Sequence, residues 1–383
     1  MKDAMKYVGL DVSKEKIAVA VADEGRESAR YWGMIPHNEY QILKVLKKLG
    51  QPEELSICYE AGPTGYPLVR LLSAHGYHCI VIAPSLMPSR PGERVKTDRR
   101  DALRLAQLLR AGELTSVHVP TPEEEALRDL VRMREDIKED RTRIRQRIGK
   151  FLLRHNIVPE EPLRRWTGKY RLWLGRIRLE FAAQRLVLQE MLSQLDENEE
   201  RLKRIEATIH EEATSGYQAP LIQALQTLRG VAETTATGIV AEVCSFTRFG
   251  SAQAFMGYTG LVPREYSSGQ SRWQGKITKS GNTHLRRLLV EAAWSYRYKP
   301  ALQGEIKKRQ QGQDPGIQSI SWKAQHRLHQ KYTTMLSKGK PSGKSNCSCS
   351  AGVKWIYLVC CSRNRRNKKT RISLKLKVGE EYL

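Results

Sequence analysis

Residues 7–13 read Tyr-Val-Gly-Leu-Asp-Val-Ser, an apolar stretch that carries one carboxylate, Asp11, just before a polar turn. A second apolar stretch, residues 55–60, reads Leu-Ser-Ile-Cys-Tyr-Glu and ends on Glu60. The breaker-rich Ala-Gly-Pro-Thr-Gly of residues 61–65 follows it. Both patterns predict short strands that each deliver an acid. Because sites in open α/β sheets are built where strands end, Asp11 and Glu60 are candidates for one site.

Two further acids open a helical pattern at residues 96–102, which read Lys-Thr-Asp-Arg-Arg-Asp-Ala. Asp98 and Asp101 are three residues apart, so a helix places them on one face. With Asp11 and Glu60 they form a set of carboxylates that needs a cation if all four are ionised together. Hard oxygen ligands of this kind suit Mg²⁺ or Mn²⁺, bound singly or as a pair for phosphoryl transfer.

The first 120 residues alternate between strand-like and helix-like stretches. An early hairpin is followed by strand, helix, strand and helix, which predicts a mixed α/β sheet. The expected elements, besides those that carry the acids, are strands over 17–22, 31–35 and 78–83 and helices over 40–49 and 66–74.

Charge and length indicate a folded protein that binds a polyanion. The chain has 383 residues, enough for two or three domains, and a formal net charge of +24 with 40% hydrophobic residues. Such an excess of positive charge points to nucleic acid, and the alternative is a merely solvated surface. No signal peptide and no run of about 20 apolar residues is present, so we expect no membrane partner and a cytoplasmic, nucleoid-associated location.

The seven cysteines fall into two groups. Cys58, Cys79 and Cys244 are isolated in apolar runs, which predicts core positions in a reducing compartment. The other four crowd the end of the chain as Cys-x-Cys and an adjacent pair, a weak zinc pattern because neighbouring cysteines rarely ligate one tetrahedral ion.

Residues 121–215 change character to long helical patterns. Apolar residues seven apart, such as Leu188 and Leu195, predict an antiparallel helical hairpin or coiled coil, within one chain or between subunits. The basic stretch 162–166 is the expected turn. Arginines on these helices either track a phosphate backbone or form a solvated face.

A second compact region follows from residue 216. Residues 225–242 read as helix, glycine turn and helix, an arrangement that suits a DNA phosphate. Further on, Ser267 and Ser268 precede Gly269 in a predicted extended loop. This is either the site of a nucleophilic serine or an ordinary loop beside a DNA-binding patch. The surrounding basic residues, candidates for nucleic-acid binding, are Arg264, Arg272, Lys276, Lys279, Arg286 and Arg287.

Five motifs in this order resemble the DEDD transposases of the IS110 and IS1111 insertion sequences, which are regarded as bridge-RNA-guided recombinases. Together they cover roughly residues 5–340. The motifs are Gly-Leu-Asp-Val-Ser, Tyr-Glu-Ala-Gly-Pro-Thr-Gly, Lys-Thr-Asp-x-x-Asp-Ala, Gly-Leu-Val-Pro-x-x-x-x-Ser-Gly and Lys-Ser-Gly-Asn-x-x-Leu-Arg-x-Leu-Leu.

The resemblance implies three domains: a ribonuclease-H-like (RuvC-like) catalytic domain over 1–120, a helical coiled coil over 121–215 used in oligomerisation, and a mainly α transposase domain with a helix-hairpin-helix and the Ser-Gly loop over 216–340. The expected homo-oligomer is a dimer or a tetramer. It makes Asp11, Glu60, Asp98 and Asp101 the metal ligands. It makes Ser268 the nucleophile, with Ser267 as the neighbouring alternative. The implied activity is cleavage and exchange of DNA strands through a phosphoserine link, in sites assembled between subunits and guided by a structured RNA.

Two stretches depart from the family pattern. Ala232 stands where the hairpin commonly has glycine, which weakens a backbone contact to phosphate there. After about Lys344 a Cys-containing and strongly basic tail, residues 341–383, replaces the expected apolar helix, as a shifted reading frame would produce. The competing functions are therefore a junction-resolving nuclease that uses water, and a remnant that binds nucleic acid without catalysis.

Overall fold

The computed structural model describes residues 5–84, 87, 97–269, 271–345, 356 and 359, except for the side chain of Arg272. The chain divides into two compact units, Met1–Val119 and Pro120–Leu383, which we call unit 1 and unit 2. None of the described helices combines the length and apolar composition that crossing a bilayer requires.

Unit 1 is built on a five-stranded sheet in the order β3-β2-β1-β4-β5. Strand β1 pairs antiparallel with β2, which pairs antiparallel with β3, whereas β1-β4 and β4-β5 are parallel. The predicted mixed sheet is therefore confirmed. The strands are β1 (Lys6–Val12), β2 (Lys16–Asp23), β3 (Arg30–Pro36), β4 (Leu55–Glu60) and β5 (His78–Ile82).

Three helices cover this sheet where the apolar spacing predicts them: α1 (Glu39–Leu49), α2 (Pro67–Ala74) and α3 (Asp98–Ala111). Helix α1 begins after Asn38, whose side chain accepts a hydrogen bond from the backbone of Gln41, and ends at Gly50. Its buried face packs with residues of β1, β2 and β4 in one apolar cluster. Cys58 of β4 is buried as expected, while Cys79 of β5 is only partly buried.

Unit 2 begins with two long helices, α4 (Pro122–Arg154) and α6 (Ala182–Ser215), and a short α5 (Gly168–Arg176) between them. Arg134 donates to Glu206, and Arg145, further along α4, donates to Glu199, so α4 and α6 run antiparallel. The expected turn at 162–166 is thus too short, because the connection spans 155–181 and includes α5. The predicted seam positions are buried: Leu188, Leu195, Leu202 and Ile209.

The rest of unit 2 is mainly helical: α7 (Ala219–Leu225), α8 (Glu233–Val243), α9 (Ala252–Thr259), α10 (Thr283–Ala293), α11 (Glu305–Gln310) and α12 (Pro315–Ser337). The glycine turn between α7 and α8 is tightly packed, because a side chain at Gly230 would collide with the carbonyl oxygen of Ala292. The prediction of an extended loop around Ser268 is wrong in detail. That stretch forms an antiparallel hairpin of β6 (Pro263–Ser268) and β7 (Ser271–Ile277).

Most of the basic tail lies outside the described residues. The hypothesis of a shifted reading frame and the cysteine pattern both concern that part of the chain. Two of its residues that are described, Ile356 and Val359, are buried in the apolar core of unit 2. Cys244, after α8, is buried as predicted.

Candidate active site

Two of the four predicted acids lie at neighbouring strand ends. In the parallel pair β1-β4, Leu10 is directly opposite Tyr59. Asp11 and Glu60 are the next residues, so they reach the carboxyl ends of the two central strands at the same level. Both side chains are partly buried. The register thus brings these two carboxylates to one edge of the sheet.

Helix α3 lies on the face of the sheet from which these acids project. A Cβ added at Gly9 would collide with the carbonyl oxygen of Ala102, and the Cys58 thiol lies 3.7 Å from the carbonyl oxygen of Leu105. Side chains two apart on a strand share a face. Asp11 therefore lies on the side of Gly9, and Glu60 on the side of Cys58, and both sides face α3.

The direction of α3 places its first turn at the acidic edge. Near the end of the helix, Arg110 donates through Nη1 to the carbonyl oxygens of Asp23, at 3.0 Å, and of Glu27. Asp23 is opposite Lys6, the first residue of β1. Since Ala102 lies over Gly9 and Arg110 lies beside the start of β1, the N-terminus of α3 points towards the end of β1.

Asp98 and Asp101 occupy that first turn. Thr97 caps the helix, and its side chain accepts a hydrogen bond from the backbone of Arg100. Asp98 is exposed and Asp101 is partly buried, and carboxylates are favoured at the positive end of a helix. The fold therefore brings the four predicted acids to one edge. Their all-oxygen donor set fits a hard divalent cation such as Mg²⁺ or Mn²⁺.

In unit 2, the hairpin β6-β7 carries both candidate serines, on opposite faces. Ser268 is opposite Ser271, and Ser267 is opposite Arg272. Gly269 follows with φ of +58°, the left-handed conformation that a tight hairpin turn needs. All residues of β6 are exposed. Ser268 thus lies at the tip of a projecting hairpin, accessible to a large substrate.

Ser267 belongs to a polar network on the other face. Its hydroxyl lies 2.9 Å from Oε1 of Glu265, and the side-chain amide of Gln274 donates to Oε2 of the same carboxylate at 3.3 Å. The two serines therefore differ in their surroundings. Ser267 is tied to the hairpin by a side-chain hydrogen bond, and Ser268 shares its face with the rings of Tyr266 and Trp273.

The base of this hairpin is closed by residues 258–262 and 278–282, which we call the clasp. The backbone of Thr278 donates to Val262 and that of Lys279 to Gly260. Gly260 and Gly281 have positive φ angles, and a Cβ at either would collide with a carbonyl oxygen of the facing segment. Only glycine fits these two positions, so the backbone itself fixes where the hairpin emerges.

A buried carboxylate supports the clasp from below. Glu242 of α8 is 1% exposed and accepts two hydrogen bonds from Arg132 of α4 and one from Nδ2 of Asn282. Burial acts to raise the pKa of Glu242, but these hydrogen bonds and the charge of Arg132 outweigh it, so the pKa lies below its ordinary value. Glu242 is therefore a charged anchor between α4, α8 and the clasp.

Comparison with known proteins gives the family. Residues 8–157 match the DEDD_Tnp_IS110 family model, described as transposase, and residues 222–305 match the model of the transposase IS116/IS110/IS902 family. The chain belongs to the IS110 family of transposases. The sheet and helices of unit 1 are compatible with the DEDD nuclease-like fold of this family. The resemblance of the five motifs is thus confirmed.

Relatives agree over most of the chain. This transposase is 42% identical over 348 residues to a Sinorhizobium fredii protein provisionally named transposase y4qE, covering 90% of this chain and 85% of the relative. It is 34% identical over 337 residues to the transposase for insertion sequence element IS1533 of Leptospira borgpetersenii, covering 87% and 97%. It is 24% identical over 294 residues to the transposase for element IS1111A of Coxiella burnetii, covering 76% and 78%. The transposase is therefore an enzyme of an insertion sequence, of the class that cleaves and rejoins DNA.

The basic residues predicted near the serine have two kinds of surroundings in the transposase. Arg264, Lys276 and Lys279 are exposed on the hairpin and the clasp. Arg286 instead donates through Nη1 to carbonyl oxygens of both segments of the clasp, and Arg287 is paired with Glu135 and Glu291. The side chain of Arg272 lies outside the described part of the chain.

Sequence reasoning missed the contribution of Glu242. An acid within the apolar run of residues 239–243 is a signal, because a charged side chain is almost never buried without a partner. Its partner Arg132 is 110 residues away, so the pairing had no local signature. The pairing of Tyr266 with Trp273 was also missed, since a predicted loop gives no register.

Proposed function

We propose that this transposase cleaves and exchanges DNA strands through a phosphoserine intermediate on Ser268, in a reaction that depends on a divalent metal. The observation that carries the proposal is that Asp11 and Glu60 occupy adjacent strand ends on the face of the sheet that α3 covers. A nuclease-like site needs such a set of acids, and the family implies a divalent metal there. Mg²⁺ is the preferred ion, with Mn²⁺ as its substitute.

The four acids would hold the metal by carboxylate oxygens: Asp11, Glu60, Asp98 and Asp101. When bound, a divalent cation stabilises the charge that develops on a phosphoryl group. Partial burial of Asp11, Glu60 and Asp101 supports this role, since carboxylates shielded from bulk water bind a cation more strongly.

Ser268 is proposed as the nucleophile because it is exposed at the hairpin tip and follows the family motif. Its Oγ forms a bond to phosphorus while the bond from phosphorus to the deoxyribose oxygen breaks, and the leaving oxygen takes up a proton. In the reverse attack a deoxyribose hydroxyl from another strand displaces the serine, which regains its proton. Exposed Arg264, Lys276 and Lys279, together with Arg272, Arg286 and Arg287, are proposed to attract the phosphate backbone.

The remaining family expectations are proposals of the same kind. Residues 1–120 would be the RuvC-like catalytic domain, 121–215 a coiled coil that joins subunits, and 216–340 the transposase domain. The antiparallel α4-α6 pair within one chain supports a coiled-coil arrangement of residues 121–215, and the joining of subunits rests on the family alone. The net charge of +24 supports binding of DNA and of a structured guide RNA.

A trapping assay tests the mechanism. Wild type, Ser268→Ala, Ser267→Ala and Asp11→Ala are incubated with Mg²⁺, the RNA transcribed from the flanks of the element, and labelled donor and target DNA, then run on a denaturing gel. We expect a protein–DNA adduct for wild type and Ser267→Ala only. Asp23→Ala, at the far end of the same sheet, is the control for Asp11→Ala.

The competing functions predict different products in this assay. Cleavage by Ser268→Ala without an adduct would establish a nuclease that uses water. Binding without any product, when a close relative processes its own element under the same conditions, would establish a non-catalytic remnant. An adduct that persists in Ser268→Ala and disappears in Ser267→Ala would move the nucleophile to Ser267.

A further inference from the structure

Two large aromatic side chains share the face of the hairpin that carries Ser268. Tyr266 and Trp273 are directly opposite each other in the β6-β7 pair, with ring centroids 5.4 Å apart and ring planes tilted by 42°. Their side chains are 61% and 59% exposed. Ser268 is two residues beyond Tyr266 on the same strand, so hydroxyl and rings project from one face.

Gly275 allows the indole ring of Trp273 to pack against the backbone of β7. A Cβ at Gly275 would come within 2.9 Å of Cζ3 and Cη2 of Trp273, so the six-membered ring occupies the space where a side chain would be. The ring is held against the backbone on one side. With 59% of Trp273 exposed, much of the residue remains in contact with water.

Hairpin stability alone does not account for this surface. A cross-strand aromatic pair stabilises a hairpin modestly, but that benefit does not require both rings to stay mostly in water. In the described part of the chain, no apolar cluster includes either ring. Among the described residues, the pair is therefore an exposed aromatic surface beside the proposed nucleophile.

The charges near the two rings indicate which kind of ligand would bind them. Arg264 lies on the same face as the rings, since its Cβ is 3.7 Å from the position that a Cβ at Gly275 would take. Lys276 is exposed on the opposite face of the hairpin, and Lys279 is exposed on the clasp. Exposed rings on a hairpin that also carries cations suit a nucleic-acid strand, whose bases stack while its phosphates meet the charges. An apolar protein segment would bring no partner for these cations.

We propose that Tyr266 and Trp273 form a stacking platform for an unpaired base of the DNA strand whose phosphate Ser268 attacks. This rests on the proposed function. Strand exchange requires bases near the break to lose their pairing, and stacking on the rings offsets the cost of unpairing. The platform would also hold the strand while the two ends are exchanged.

Binding measurements in the Ser268→Ala background test the platform without any need for cleavage. The probes are fluorescein-labelled (dT)₁₂, an abasic oligonucleotide of the same length, and (rU)₁₂, with affinity measured by anisotropy. Trp273→Thr and Tyr266→Thr remove a ring but keep a residue that favours strands. We expect each to weaken (dT)₁₂ binding by about tenfold and to leave abasic binding unchanged, because stacking contributes on this scale per base.

Further variants separate stacking from folding. Trp273→Phe and Tyr266→Phe keep a ring and should retain most of the affinity for (dT)₁₂, and Tyr298→Thr, an exposed tyrosine away from the hairpin, should have no effect. Equal weakening on the abasic probe, weakening on (rU)₁₂ alone, or unchanged (dT)₁₂ affinity would each overturn the proposal. If the platform binds as expected while Ser268→Ala still forms the adduct, only the proposed function fails.

Discussion

The side-chain amide of Asn282 donates to the buried carboxylate of Glu242 at a distance of 2.5 Å. Asn282 is also the residue that caps α10, since its Oδ1 accepts a hydrogen bond from the backbone of Leu285. One side chain therefore links the charged anchor on α8 to the start of α10 and to the clasp below the hairpin. This link supports the base of the hairpin that carries Ser268.

Replacing the anchor should destabilise unit 2 in a way that depends on pH. In Glu242→Gln an amide nitrogen faces donors where a carboxylate oxygen accepted them, and we expect a loss of about 2 kcal/mol in the free energy of unfolding at pH 7. Urea unfolding followed by fluorescence measures the loss. Glu305→Gln, an exposed acid on α11, is the control.

The pKa of Glu242 gives the sign of the pH effect. Because the folded state lowers this pKa below 4.5, the stabilisation is fully present above pH 4.5 and is lost as the pH falls through the folded value. The difference between wild type and Glu242→Gln should therefore shrink below about pH 4.5. A difference that stays constant down to pH 3 would contradict the assignment of the anchor.

Gly9 should tolerate no side chain. In Gly9→Ala the new methyl group meets the backbone of α3, and overpacking of this kind costs roughly 1–3 kcal/mol. The helix that carries Asp98 and Asp101 must then move off the sheet. We expect lower stability together with weaker Mn²⁺ binding, measured by urea unfolding and by calorimetry.

Gly62→Ala provides the matched comparison for Gly9→Ala. It lies in the same unit, two residues after Glu60, and an added Cβ would have only the carbonyl oxygen of Glu60 nearby, at 3.9 Å. Its stability should match that of wild type. If Gly9→Ala is as stable as Gly62→Ala, the close packing of α3 on β1 is wrong.

Removing one exposed cation beside the serine should reduce the salt dependence of DNA binding. Each phosphate contact contributes about 0.9 to the slope of log K against log salt, so Lys276→Gln should lower that slope by about 0.9. The measurement is a salt titration with duplex DNA. Lys203→Gln, on α6 and already paired with Glu200, should leave the slope unchanged.

Loss of the Ser267 hydroxyl should be tolerated. Ser267→Ala removes a single exposed hydrogen bond to Glu265, which contributes little in contact with water, so we expect less than a threefold change in the rate of adduct formation. The measurement is the time course of adduct formation by the wild type and by Ser267→Ala. A loss comparable to that of Ser268→Ala would show that the hydroxyl itself is required.

The sequence alone was sufficient for the elements that carry the acids. Strands β1 and β4 are short, mostly apolar stretches, and α3 has regular apolar spacing, so the local pattern indicates both type and position. The pairing of Leu10 with Tyr59 was not accessible, because strand register is a long-range property. Gly9 within a strand was the available sign of a close backbone approach.

The hairpin was misread for a physical reason. Residues 263–268 are mostly polar and none of them is buried, so they lack the alternation that reveals a strand with one buried face. Their strand conformation is fixed instead by the clasp, whose two segments are brought together by the packing of α9 and α10. Neither the local sequence pattern nor the Ser-Gly motif indicates how these two segments pack.

The backbone of α3 packs directly on Gly9, so no side chain lies between the helix and the strand that could change its conformation if one of them moved. The acids on the helix and the acid on the strand must therefore shift together or not at all, and a bound ion would meet ligands of nearly fixed spacing. Mg²⁺ prefers oxygen ligands at about 2.0–2.1 Å and Ca²⁺ at about 2.3–2.6 Å. A rigid seat of this kind would, if the four acids are the ligands as proposed, bind Mg²⁺ in preference to the larger Ca²⁺.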